Sequence, residues 1–78
     1  MKSVLLTFSN AEQIVDFVST TNYIEEDVDV KQGRYLVSGK SLIGLLSIVT
    51  IDKPVEVIIH NDTTNIEIFK KWWANKEG

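Results

Sequence analysis

Cysteine is absent from the 78-residue chain, and this absence excludes a disulfide framework and a metal site built from thiolates. The only histidine is His60, and a single histidine without cysteine partners makes a poor metal site. Basic residues are few: eight lysines and arginines face eleven acidic residues, for a net charge of −3, which argues against nucleic acid as a partner. Long apolar runs are also lacking, so no membrane-spanning segment is predicted.

What the chain does contain is typical of one small globular domain, which we place at residues 1–78. Hydrophobic residues make up 44% of the sequence, too many for a disordered protein. The apolar stretch that follows Lys2 is too short for a signal peptide, so we expect a cytoplasmic protein. We expect neither a cofactor nor a metal ion.

The first part of the chain predicts a strand followed by a helix. Alternating apolar residues over Ser3–Phe8 favour a strand with one buried face. Ser9 and Glu12 have the spacing of a capping box, which predicts that a helix begins there. This helix is expected to be about three turns long and to face the core with Ile14, Phe17 and Val18.

The middle of the chain predicts a β-hairpin, a short helix and a further strand. Two short alternating runs flank Gln32-Gly33, a turn in which glycine adopts a positive φ at no steric cost. Leu42–Ile48 is dense in leucine and isoleucine and is predicted to form a short helix capped by Ser41. Alternation over residues 55–60, after a turn at Asp52–Pro54, indicates the further strand.

A last helix is predicted from a second capping box, formed by Thr64 and Glu67. The apolar stripe of this helix consists of Ile66, Phe69 and Trp73. Trp72 lies outside this stripe, so it is expected to be exposed, as a candidate contact or dimer residue. The predicted order is strand, helix, two strands, short helix, strand and helix, or βαββαβα. Such an order favours an α+β sandwich in which one helical layer covers one face of the sheet.

The segment from Gly39 to Ser47 reads Gly-Lys-Ser-Leu-Ile-Gly-Leu-Leu-Ser. It resembles the regulatory-serine region of HPr, the phosphocarrier of the bacterial sugar phosphotransferase system. That family has a Lys-Ser pair, two large apolar residues, glycine, two more large apolar residues and serine. The preceding hairpin and the βαββαβα order are also the family's. The resemblance implies an HPr-like open-faced sandwich, with a four-stranded antiparallel sheet covered on one face by helices.

In HPr the phosphocarrier histidine opens the first helix, in a Gly-Ile-His-Ala-Arg-Pro-like loop. The chain departs from the family at this point. Alignment back from the hairpin places Asn10 opposite the histidine and Glu12 opposite the arginine. Alignment forward from the first strand makes the loop shorter than the family's, and neither alignment supplies a histidine. Because an asparagine amide is not a nucleophile and a glutamate repels phosphate, we expect no histidine phosphocarrier.

The resemblance makes Ser41 the candidate for regulatory phosphorylation, because the matching serine of the family is modified by an ATP-dependent kinase in carbon-source regulation. The local physics agrees with this role, since a phosphoserine at a helix N-cap meets unpaired N–H groups and the positive end of the dipole. The alternative is that Ser41 only caps the short helix, a common position for serine.

The same resemblance marks a set of candidate partner-binding residues, Lys40, Leu42, Ile43 and Leu46. In HPr, matching apolar residues are partly exposed and dock partner proteins such as Enzyme I, and exposed apolar clusters commonly mark interfaces. The alternative is that Leu42, Ile43 and Leu46 fill the core beneath the short helix, the position that we expect for Leu45.

Three hypotheses about function follow from these residues. The leading one is a regulatory or binding module, not an enzyme, that engages protein partners of the phosphoenolpyruvate-dependent sugar phosphotransferase or carbon-regulation systems, with a serine kinase among them. The second is a phosphotransfer protein that uses a non-standard acceptor, for which His60 is the only imidazole. The third is a degenerate domain with a structural or assembly role, which would dimerise through Trp72 or the apolar segment. None of the three involves nucleic acid or a membrane.

Overall fold

The structure is a computed structural model that describes residues 1–60 and 65–74. Thr64, which the sequence predicts to cap the last helix, lies outside the described residues. Four strands, two α-helices and one 3₁₀ helix follow one another as β1 (Lys2–Leu6), α1 (Ala11–Thr21), β2 (Val28–Gln32), β3 (Tyr35–Ser38), α2 (Leu42–Ile48), β4 (Val55–Ile59) and the 3₁₀ helix Ile66–Trp72. The predicted short helix at Leu42–Ile48 is confirmed at both ends.

The four strands form one antiparallel sheet in the order β1-β4-β2-β3. Its register aligns a row of valines across all four strands: Val4 pairs with Val57, Val57 with Val30, and Val30 with Val37. β-Branched side chains in opposed positions pack well on a pleated surface, so this row joins the strands along one face. The turn between β2 and β3 has Gly33 at φ +63°, as the hairpin prediction requires.

All three helices pack against that valine-bearing face. One cluster of buried residues joins strand residues such as Val30 and Val57 to Phe17 of α1, Leu45 of α2 and Phe69 of the 3₁₀ helix. The other face of the sheet carries Ser3, Lys31 and Leu36, which are all exposed. The α+β prediction, with a four-stranded antiparallel sheet and three helices, is therefore confirmed.

Four aromatic rings form the centre of the core. The ring centroid of Phe17 lies 5.3 Å from that of Phe8, 5.3 Å from that of Phe69 and 5.8 Å from that of Trp72. The Phe8 and Trp72 contacts are edge-on, a geometry that the ring quadrupoles favour. Phe17 of α1 thus joins residues from the start and the end of the fold.

The start of α1 differs from the predicted capping box by one residue. Asn10, not Ser9, is the N-cap, and its Oδ1 accepts a hydrogen bond from the Gln13 backbone N–H at 2.9 Å. The Gln13 side chain completes the box, because its Oε1 accepts from the Ser9 backbone N–H at 2.8 Å. Glu12 lies exposed in the first turn, where a negative charge suits the helix dipole.

The last helix corrects the prediction for the two tryptophans. It is a 3₁₀ helix with three residues per turn, so that side chains three apart lie on one side. Phe69 and Trp72 are therefore buried together, at 0% and 3% exposure, whereas Trp73 is only half-buried. The prediction of an exposed Trp72 was wrong, because the 3.6-residue period of an α-helix was assumed.

The outer edge of β1 is covered by the end of the 3₁₀ helix. The Thr7 backbone N–H donates to Trp72 O at 2.8 Å, and the Ala74 backbone N–H donates to Leu5 O at 3.0 Å. These bonds satisfy backbone groups that an edge strand would otherwise present to solvent. The two segments, far apart in sequence, thereby become neighbours at one side of the sheet.

One buried polar contact fixes α1 against the segment before α2. Thr21 is fully buried, and its Oγ1 donates to Gly39 O at 2.8 Å. Gly39 is packed so closely that a Cβ there would lie 2.6 Å from Val28 Cγ1, so only glycine fits. This contact places the end of α1 beside the residues that lead into α2.

Thr21→Val is expected to lower the free energy of unfolding by about 1–3 kcal/mol, because it leaves the Gly39 carbonyl without its buried donor. Thr20→Val is the matched control, since the Thr20 hydroxyl donates within α1, to Asp16 O one turn back, and the residue is less buried than Thr21. Urea unfolding of the three proteins gives the comparison. Equal losses for both variants would contradict a special role of the Thr21 contact.

Candidate protein-docking site

Ser41 caps α2, as the sequence predicts. Its Oγ accepts a hydrogen bond from the Gly44 backbone N–H at 3.0 Å, and its own backbone is extended, at φ −106° and ψ 107°. Its carbonyl accepts from the Leu45 N–H at 3.0 Å, the first bond of the helix. The residue is half-buried, and its hydroxyl lies beside the first turn of α2.

Lys40 connects α2 to the loop that follows α1. Its Nζ donates to Ile24 O at 2.6 Å, and its backbone N–H donates to Ser38 Oγ at 3.1 Å. The side chain is half-buried and borders a polar cavity at the end of the sheet. Lys40 therefore ties the segment before α2 to the loop that follows α1.

The apolar residues of α2 divide between core and surface. Leu45 is fully buried, as expected, whereas Ile43 and Leu46 are 79% and 49% exposed. Leu42 lies between these extremes, partly buried and packed against the core. Residues three and four apart are neighbours on a helix, so Leu42, Ile43 and Leu46 form one apolar surface that begins beside Ser41.

This surface continues into a groove between α1 and α2. The groove has a volume of about 400 Å³ and is lined by Val15, Val18, Ser19, Asn22, Tyr23 and Leu42. Val15 and Tyr23 are 43% and 89% exposed, so both present apolar area to solvent. Neither residue was predicted to belong to a site, although Val15 has a visible signal in the sequence, as an apolar residue outside the core-facing stripe of α1.

Asn10 lies at the opposite end of α1 from Tyr23, because it caps the start of that helix. Its side-chain oxygen is occupied by the Gln13 N–H, so the position opposite the family's histidine holds the helix start in place. The amide of Asn10 supplies no nucleophile.

His60 is part of a second polar cluster, at the end of the sheet. Its Nε2 lies 2.8 Å from Asp29 Oδ2, and the two side chains are 41% and 35% exposed. They line a cavity of about 500 Å³ together with Asp27, Val28, Ser38 and Lys40. The sequence alone does not reveal this pair, because it depends on register: Asp29 is opposite Ile58, two residues before the histidine. Within residues 1–60 and 65–74, no group of three or more potential ligands is placed to hold a metal ion.

Comparison with known proteins leaves function to be inferred from these surfaces. No protein-family model and no curated protein matches the chain. In the part of the chain that the structure describes, no helix has the length and apolar character needed to cross a membrane. The apolar surface that α2 forms with the groove lies next to a modifiable side chain, Ser41, and it is the candidate site.

Proposed function

We propose that this protein is an HPr-like regulatory or binding module of the bacterial, cytoplasmic sugar phosphotransferase and carbon-regulation machinery, and not a histidine phosphocarrier. The observation that carries the proposal is the exposure of Ile43 and Leu46 on the helix that Ser41 caps. The βαββαβα order of the elements supports it as well. The module would act through Lys40-Ser41 and the apolar surface of α2.

The arrangement couples a modification to a docking surface. A phosphate on Ser41 would add about two negative charges immediately before Leu42, at the border of the apolar surface. It would also offer acceptor oxygens to N–H groups of the first turn of α2, in place of the single bond from Gly44 to the hydroxyl. Partners that bury Leu42, Ile43 and Leu46 would therefore distinguish the modified from the unmodified protein.

An HPr kinase with ATP is expected to add one phosphate, measured as intact mass. The added mass should vanish in Ser41→Ala and remain in Ser47→Ala, the matched control on the same helix, whose hydroxyl bonds to Ile43 O. Because loss of the cap costs about 1 kcal/mol, Ser41→Asp, which keeps a capping oxygen, should be folded and equally unmodified. A phosphate that persists in both Ser41 variants would contradict the proposed site.

A second incubation, with phosphoenolpyruvate and Enzyme I, tests the alternative of phosphotransfer through His60. The Asp29 carboxylate at Nε2 favours this alternative, because it would orient the imidazole. Against it, Asp27 and Asp29 give the cavity two carboxylates that repel a phosphoryl donor. An acid-labile phosphate lost in His60→Ala would establish the alternative. No phosphate in either incubation would leave a structural or assembly role.

A further inference from the structure

The groove between α1 and α2 is bordered by negative charge. From residue 3 to residue 30 the sequence holds six acidic residues and no lysine or arginine. Two of the six, Glu12 and Asp16, are exposed on α1. They precede the groove residues Val15 and Ser19 by three positions, and side chains at this spacing are neighbours on a helix surface. Both carboxylates therefore lie beside the apolar lining.

No positive charge from α2 offsets them. Residues 42–51 contain no acidic or basic side chain, so the α2 side of the groove is uncharged. The preceding lysine, Lys40, is not among the residues that line the groove. Its Nζ donates to Ile24 O, and it shares the polar cavity at the end of the sheet with Asp27 and Asp29. The groove is thus apolar in its lining and acidic at its border.

The end of α1 adds to the same preference. The last turn of α1 contains no basic residue, and the Lys40 ammonium, which is bonded to Ile24 O in the loop that follows, does not line the groove. Asn22 and Tyr23 line the groove at this end. The Tyr23 side chain is 89% exposed, so its ring can accept a lysine or arginine of a partner against its face.

We propose that this groove binds an amphipathic helix of a partner protein, with apolar side chains flanked by lysine or arginine. The inference rests on the proposed function, since it specifies the partner of the same surface. The apolar side chains of the partner would enter the groove beside Leu42 and Leu46, and its basic side chains would meet Glu12 and Asp16. A second copy of this chain is disfavoured, because the acidic faces of two α1 helices would repel each other.

Two synthetic helical peptides test the inference on the full chain. They share apolar residues at i, i+3, i+4 and i+7 and differ only in their polar faces, which are lysine in one and glutamate in the other. In fluorescence anisotropy at low salt, the lysine peptide is expected to bind about tenfold more tightly than the glutamate peptide. Added salt should weaken the binding of the lysine peptide. Amide chemical shifts should change at Val15, Ser19, Asn22 and Leu42.

Charge-reversal variants separate binding in the groove from attraction to an acidic protein in general. Asp16→Lys is expected to lower the affinity for the lysine peptide about threefold or more. Glu67→Lys makes the same change in net charge on the 3₁₀ helix and should leave this affinity nearly unchanged. Equal effects of the two variants, a preference for the glutamate peptide, binding of neither peptide, or a dimer that blocks the groove would each overturn the inference. The proposed function is judged separately, by the kinase reaction at Ser41.

Discussion

Phe17→Ala is expected to lower the free energy of unfolding by about 3–5 kcal/mol, a large share of the total for a small domain. The Phe17 side chain is fully buried and contacts Phe8, Phe69 and Trp72 at centroid distances of 5.3 to 5.8 Å. Its removal opens a cavity between the segment after β1, which carries Phe8, and the 3₁₀ helix, which carries Phe69 and Trp72. Urea unfolding followed by circular dichroism measures the loss.

Val15→Ala is the matched control, because it truncates a residue on the same helix whose side chain is 43% exposed. Its expected loss is less than about 1 kcal/mol. Phe17→Leu serves if the alanine variant does not fold, and it should show an intermediate loss. Similar losses for Phe17→Ala and Val15→Ala would contradict the central position of the aromatic cluster.

Trp72→Ala is expected to lower the free energy of unfolding by about 3–5 kcal/mol, whereas Trp73→Ala should lower it by about half of that or less. Trp72 is 3% exposed and packs on Phe8 and Phe17. Trp73 is half-buried, and its Nε1 is buried with no hydrogen-bond partner among the described residues, so its removal also eliminates an unsatisfied donor. The same urea experiment ranks the two variants.

The relative effects of the two tryptophan substitutions distinguish a 3₁₀ helix from an α-helix at this segment. A 3₁₀ helix places Trp72 in line with Phe69, whereas an α-helix directs Trp73 towards the core. A larger loss for Trp73→Ala would therefore contradict the 3₁₀ helix. Trp73→Phe, which keeps an aromatic ring and removes the indole N–H, is expected to be close to neutral.

Local signals in the sequence were sufficient for the fold class and for α2. Ser41 and the apolar density of Leu42–Ile48 predict the helix with its observed bounds, because capping and burial depend there on neighbouring residues. The hairpin at Gly33 is likewise local. The start of α1 was missed by one residue, because Ser9–Glu12 and Asn10–Gln13 offer the same capping spacing and sequence does not decide between them.

The features that were missed depend on distant parts of the chain. The period of the last helix is set by Trp72 packing on Phe17, which no local pattern reveals. The groove exists only because α1 lies beside α2, so Tyr23 had no visible neighbour in the sequence. The pairing of His60 with Asp29 requires the register of two strands that are far apart along the chain.

The hydrogen bonds between the edge of β1 and the end of the 3₁₀ helix bear on how the chain folds during synthesis. Thr7 and Leu5 reach the ribosome exit long before Trp72 and Ala74, their backbone partners. Until residues 69–74 emerge, Phe17 lacks its ring neighbours Phe69 and Trp72, and β1 keeps an open edge. The nascent chain therefore cannot complete its core step by step, and folding is expected to be a late, single event that follows release of nearly the whole domain.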